Sequence, residues 1–405
     1  MKYEITVFGA TSFVGQILCH HLANLFREGD LTWAMAGRSA KKLESLRAEL
    51  PDSAKETPII VADAADEAAL AKMVEDTDVV ISTVGPYALY GEPLVKACTE
   101  HGTDYCDLTG EVQWIRRMID GYEDAAKASG SRIVHCCGFD SLPSDLGVYF
   151  LQKASQEKFS APCQQVKMRV RAMRGGMSGG TVASIMNIAK EISKDGSLRR
   201  ALGNPYYLCP PGHSAKVRQP NVTFAEHDSD FNAWLAPFVM GMINTRVVHR
   251  SNALSSYDYG ENFRYDEAMM TGRGITGGAM AVGMTGAMGS FMVGAAIPPT
   301  RWVLEKFVPA PGEGPSPEEQ ENGFFDIRFM GKTANGEELR AKVTGDRDPG
   351  YGSTAKMLAQ AGLCLARDIK DDVEGGFWTP ATIFPDLLIE RLQKDAGLTF
   401  EVLAS

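Results

Sequence analysis

The sequence predicts an α/β protein: a doubly wound parallel sheet at the N-terminus, then a second, α+β domain built on a mixed or antiparallel sheet. Three observations carry this expectation. Short apolar runs alternate with helical patterns through the first 140 residues, the signature of βαβ units. A glycine turn separates the first run from the first helix. Beyond Gln165 the rhythm changes to strand-like alternation. The chain has 405 residues, enough for two or three domains, and its 44% hydrophobic and 23% charged residues describe a folded globule.

In order, strands are expected at Ile5–Phe8, Thr32–Ala36, Thr57–Val61, Val79–Thr83, Asp104–Asp107 and Arg132–Cys136. Helices are expected between them at Val14–Phe26, Ala40–Glu49, Glu67–Val74, Gly91–His101 and Val112–Ser129. The later region offers strand-like stretches at Val166–Met173, Asn244–Ser251, Phe324–Met330 and Leu339–Thr344, and a helix after Gly180. Tyr351–Arg367 and Pro385–Lys394 read as helices, and Pro309–Gln320 as a linker. The expected division is 1–140, 141–350 and 351–405, the last packing back on the first.

A net charge of −10 argues against a nucleic-acid surface, which needs clustered Lys and Arg. Eight cysteines without C-x-x-C or zinc-ligand spacing predict no metal and no disulfide framework. Thiols used as small core residues imply a reducing compartment. The sequence enters a strand pattern at once, leaving no room for a signal peptide, so a cytoplasmic location is expected.

Gly9-Ala10-Thr11-Ser12-Phe13-Val14-Gly15 lies between the first strand and the first helix, where a glycine turn aims backbone N–H groups and a helix N-terminus at a pyrophosphate. Ser12 stands where the middle glycine is usual. After the second strand an NAD site would place a carboxylate for the ribose 2′-hydroxyl. This chain has Gly37-Arg38-Ser39, with Lys41 and Lys42 beyond. A guanidinium and a hydroxyl suit a 2′-phosphate, so the expected cofactor is NADP(H). Asp63, after the third strand, is either an adenine contact or a plain cap. Thr83, Val84, Gly85 and Pro86 follow the fourth strand, at the sheet edge that faces the nicotinamide ribose. Tyr87 is either a proton donor there or a packing wall.

Two further loops, Tyr105–Glu111 and Cys137–Gly147, place carboxylates directly after apolar strands. Asp140 is the candidate acid among them, whereas Glu111 and Asp145 read as helix caps. These segments, with Val84–Tyr87, Gly138–Asp145, Ser178–Thr181, Asp348–Gly352 and Gly375–Pro380, resemble the saccharopine dehydrogenase-like oxidoreductases, in particular the bacterial branch of trans-acting enoyl reductases. The resemblance implies an N-terminal Rossmann domain, NAD(P) binding, a second α+β domain and a C-terminal helix returning to the first. Ser178-Gly179-Gly180-Thr181, after a basic strand, reads as a carbonyl or phosphate cradle or as a cap. Gly350–Thr354 reads the same way.

Three functions fit these residues: a reductase passing hydride from NADPH to an apolar unsaturated acyl, polyketide or lipid-like substrate; a saccharopine-type amino-acid dehydrogenase, for which Arg169, Arg171, Arg174 and Arg246 are available; and an NADP-binding, lipid-associated scaffold. The substrate is a small molecule, and a homodimer is expected. Gly274–Thr300 bears on the choice, being 27 residues without a charge. Its glycines weaken a bilayer-spanning helix. Met280, Met284, Met288 and Met292 recur on one helical face, suited to a core or dimer contact, or to a lid or floor over a lipid-like substrate with peripheral membrane contact.

Overall fold

The computed structural model describes the chain apart from residues 1, 27–28, 176–183, 185, 189, 193–194, 298–299, 301–313, 370–372 and 405. Ser178–Thr181 and the start of the expected helix after Gly180 lie outside the described residues. The chain forms two compact units. The first comprises Met1–Leu142, Ala310–Gly314 and Gly350–Gly397; the second comprises Pro143–Pro309, Pro315–Pro349 and Leu398–Ser405.

The elements of the first unit begin with β1 (Tyr3–Phe8), α1 (Phe13–Leu25), β2 (Trp33–Gly37), α2 (Ala40–Glu49), β3 (Ile59–Val61), α3 (Glu67–Glu75) and β4 (Thr77–Ser82). They continue with α4 (Tyr87–Tyr90), α5 (Glu92–His101), β5 (Asp104–Asp107), α6 (Val112–Ser129) and β6 (Arg132–Val134). The strands are buried on both faces, as a sheet covered by helices on each side requires: Ile5, Val7, Val79, Val80 and Ile81 are wholly inaccessible. Ser12 and Asp66 accept from the first-turn amides of α1 and α3, which starts those helices. Left-handed Gly102 and Gly130 stop α5 and α6.

In the second unit come α7 (Leu142–Phe159, opening at the boundary), β7 (Cys163–Arg174), α8 (Gly196–Leu202), β8 (Glu226–Asp228), β9 (Ala233–Pro237), α9 (Gly241–Leu254), β10 (Arg264–Gly272) and α10 (Gly274–Ala296). They are followed by β11 (Phe324–Thr333) and β12 (Glu338–Gly345). The chain then returns to the first unit as α11 (Thr354–Arg367), β13 (Gly376–Trp378) and α12 (Pro385–Asp395), and ends in the second as β14 (Leu398–Leu403).

The first sheet is parallel in the order β13-β6-β5-β4-β1-β2-β3. The strand order reverses between β1 and β4, and that switch point is where open α/β sheets bind ligands. Helix α11 packs on α1, β4 and β5, coming so close that a Cβ on Gly362 would stand 2.4 Å from Ile81 Cδ1. The second sheet is mixed, in the order β14-β12-β11-β7-β10-β9-β8, with only β7 and β10 paired in parallel. Three expectations are corrected. Asn244–Ser251 is not a strand but part of α9; β13 adds a seventh strand to the first sheet; and the last residues, rather than returning to the first unit, pair as β14 with β12.

Candidate functional site

At the switch point the turn after β1 is drawn tight. Gly9 sits at φ +87°, where a Cβ would meet Thr83 Oγ1 and Val84 Cγ2, each at 2.7 Å. A Cβ on Gly15 would fall 2.2 Å from the Gly9 carbonyl oxygen. Neither position tolerates a side chain. A relay locks the arrangement: Gly15 N–H donates to Ser12 Oγ (3.0 Å), Ser12 pairs with Thr83 Oγ1 (2.9 Å), and Thr83 Oγ1 donates to the Gly9 carbonyl (2.9 Å). Ser12 is thus the cap of α1. The first-turn amides of Phe13 and Val14 have no acceptor within the helix, which leaves them as donors for an anion. Thr11, Ser12, Phe13 and Val14 are half-buried, and the Phe13 ring meets Tyr351 edge-on at 4.9 Å. The Gly9–Gly15 cradle fits a pyrophosphate.

At the end of β2, Arg38 and Lys42 are exposed. Ser39 caps α2 by accepting from Lys42 N at 3.4 Å, which leaves its hydroxyl proton available to a phosphate oxygen. Asp63 is exposed and accepts from Ala65 N at 3.0 Å, so its carboxylate closes a turn after β3. After β4, Thr83 and Val84 line the cradle, and Gly85 and Pro86 are joined by a cis peptide. Tyr87 is 4% exposed, and its hydroxyl donates to the Ser82 carbonyl at 2.9 Å. Burial, and then the nearby Asp107 carboxylate, hold the phenol well above its ordinary pKa. Its phenol is committed inward.

Two carboxylates have larger structural roles than their sequence context suggested. Glu111 begins α6 without capping it. Its wholly buried carboxylate instead accepts from Tyr87 N (2.8 Å) and Ala88 N (3.0 Å), gripping the first turn of α4. Asp107, also wholly buried, accepts from Tyr105 Oη (2.9 Å), Thr109 N (3.0 Å), Cys136 N (3.2 Å) and His135 Nδ1 (2.7 Å). The His135 ring is walled by Trp114, Tyr105 and Phe377. Sequence adjacency gives no sign of either clamp, since each joins loops about 24 to 29 residues apart.

Asp140 follows β6 in the loop anchored by the hydrogen bond from Phe139 N to Thr354 Oγ1 (3.0 Å). Desolvation pushes its carboxyl up to about 6, so that it exchanges its proton in the range just below neutral pH. In the second unit, Asp145 accepts from Ser251 Oγ. Buried Glu267 accepts from Tyr265 Oη (2.6 Å) and Asn244 Nδ2 (2.9 Å), and burial raises it to about 7. Of the four expected arginines, Arg169 and Arg246 are buried and committed to the fold, whereas Arg171 and Arg174 are exposed. Arg169 is held by Asp228 and Asp266, Arg171 pairs with Asp326, and Arg246 donates to the Leu202 and Met242 carbonyls. Among the described residues no group of acidic, histidine and cysteine side chains has the geometry of a metal site.

The glycine cradle and the basic edge at β2 describe a dinucleotide-binding protein, and comparison with known proteins gives its family. Residues 5–134 match the saccharopine dehydrogenase NADP binding domain. A Mycobacterium tuberculosis protein bearing the name "putative trans-acting enoyl reductase" is 40% identical over 414 residues, covering 99% of this chain and 97% of its own. The trans-acting enoyl reductases of Mycobacterium bovis and Mycobacterium ulcerans are 37% and 36% identical, with 96% of both chains covered in each case. Apo saccharopine dehydrogenase (L-Glu forming) from Saccharomyces cerevisiae superposes over 99% of both chains with a TM-score of 0.54 at 13% identity, which shows a shared fold. The chain belongs to the saccharopine dehydrogenase-like family that includes these trans-acting enoyl reductases, and it is an NADP(H)-dependent oxidoreductase.

Proposed function

We propose that the protein is a reductase of the carbon–carbon double bond of an unsaturated acyl or polyketide chain. The observation that carries this reading is the near end-to-end similarity to proteins named for that reaction, at 36–40% identity. The state of the arginines supports it over a saccharopine-type substrate. Recognition of a charged amino acid calls for free guanidinium groups, and Arg169 and Arg171 are already paired with carboxylates.

NADPH, held by Gly9–Gly15 and by Arg38, Ser39 and Lys42, would supply the hydride. The chain's own residues do the rest. Thr83 and Val84 close the cradle, Glu111 fixes the turn at Tyr87, and Asp140 delivers the proton that the α-carbon needs once the β-carbon has been reduced. With Tyr87 committed to Ser82, Asp140 is the remaining candidate acid of the two. Following NADPH absorbance with 2-enoyl thioesters of graded chain length tests the reading. Saturable turnover is expected, and no turnover at any length despite saturable NADPH binding would refute it.

A further inference from the structure

Helix α10 has no strongly polar side on its circumference: its 23 residues include no charged residue and no His, Asn or Gln. Such a helix is normally sunk in a core or a membrane. Here one side is covered. Gly277 and Ala281 are buried as the helix runs along β9 and β10, and a Cβ on Gly278 would lie 3.1 Å from the Trp234 ring. The opposite side is bare. Ile275 is 92% exposed, Val282 63%, Val293 61% and Met280 57%, and a Cβ added to Gly283, Gly286 or Gly289 would enter open space. A continuous apolar face of this kind marks an interaction surface.

Area and charge choose the partner. A helix of this length runs about 34 Å, and a face roughly 10 Å wide offers about 350 Å², less than half of the ~800 Å² that each side of a stable protein complex buries. A second copy docked on this helix alone falls short. A bilayer sets no such threshold, because attachment grows with the apolar area immersed. From Ala268 to Ala296 there is no carboxylate, and the one charge is Arg273, exposed at the N-cap of α10 with Nε bonded to the Asn232 carbonyl (3.1 Å). That sign suits anionic headgroups.

We propose that the bare face of α10 docks on a lipid bilayer, lying along the boundary between headgroups and acyl chains. Interfacial helices usually carry their own polar half. In this protein the sheet beneath the helix takes that place. The proposal stands independently of the substrate assigned above.

Flotation of the full chain with vesicles tests it, using pure phosphatidylcholine and phosphatidylcholine mixed with phosphatidylglycerol. The wild type should float with both, more strongly with the anionic mixture. A Val282→Asp/Val293→Asp variant should partition about tenfold less while keeping its NADPH affinity and melting temperature; Ile275→Glu, at a site with almost no contacts, repeats the test should the double variant misfold. A wild type that stays unbound to both vesicles, or variants that float as well as the wild type, would overturn the proposal. A dimer that dissociates in the variants, with no flotation of the wild type, would give the face to a second copy and overturn it equally.

Discussion

Arg38 stands exposed at the end of β2, where an NAD-specific site would carry a carboxylate, and its charge is the one we propose to meet the 2′-phosphate. Arg38→Ala should weaken NADPH about 10- to 100-fold, the worth of one or two charge-assisted hydrogen bonds, and leave NADH nearly unchanged. Fluorescence titration with both nucleotides checks this. Asp140 permits a prediction whose sign is fixed by its raised pKa. With the folded value at about 6, the carboxyl keeps its proton in the folded protein at pH values where the unfolded chain has lost it. Its burial costs nothing below the unfolded pKa of ~4, and the cost grows as pH rises through about 6. Asp140→Asn should therefore be about 1–3 kcal/mol more stable than the wild type at pH 7.5, with the gain vanishing near pH 4, as read by urea unfolding. The same substitution should lower kcat by about 10²- to 10⁴-fold and abolish the loss of rate above pH ~6 expected of a wild-type general acid.

At the scale of elements, the grip of Glu111 on α4 carries the most consequence. Its carboxylate takes two successive amides in a fully buried setting, and the turn it holds follows directly on the Thr83–Pro86 loop that borders the glycine cradle. Glu111→Ala would leave both N–H groups without an acceptor, at about 2–4 kcal/mol. Glu111→Gln keeps the shape and one good acceptor, and should cost less than half as much. Parallel thermal unfolding of the two variants measures the ratio; equal and small losses would mean that water replaces the carboxylate.

Legibility differed element by element for physical reasons. The strands and helices up to β6 could be read because each apolar run is bounded by a turn, and because the Ser12 cap and the close approach of Gly15 to Gly9 fall within one short segment, unlike the contacts of Gly9 and Ser12 with Thr83. Segment 244–251 was misread as a strand. Asn244 and every residue from Arg246 to Ser251 are buried, and of these seven only Val247 and Val248 are apolar, so no hydrophobicity reading finds a helical period. β14 did carry a signal: Leu398 and Phe400 are buried and alternate with exposed Thr399 and Glu401. The clamps at Asp107 and Glu111 left none, since they exist only once β4, β5 and β6 lie side by side. The Met recurrence in α10 crosses from one side to the other: Met280 is more than half exposed, whereas Met284 and Met288 are half-buried on the side of buried Gly277 and Ala281. Among the described residues no helix is long and apolar enough to cross a membrane, in keeping with the glycines that dilute α10.

For the whole molecule, the chain crosses between its units several times. It leaves the parallel sheet through α7, builds the mixed sheet, returns as α11, β13 and α12 to complete the first unit, and closes the second with β14. The dinucleotide-binding unit is therefore not an autonomous N-terminal segment: β13 and α11 come from beyond residue 350. A chain truncated after residue 142 should lack the helix that packs on α1, β4 and β5, and is expected to be insoluble or to melt well below the full chain in a thermal scan. The central claim, hydride transfer from NADPH to an enoyl chain, is tested most directly by turnover of a 2-enoyl thioester with NADPH deuterated at the nicotinamide C4, followed by mass spectrometry and NMR of the product. The account predicts a saturated thioester with one deuterium at the β-carbon. A product without deuterium there, or no saturated product while NADPH binds saturably, would contradict it.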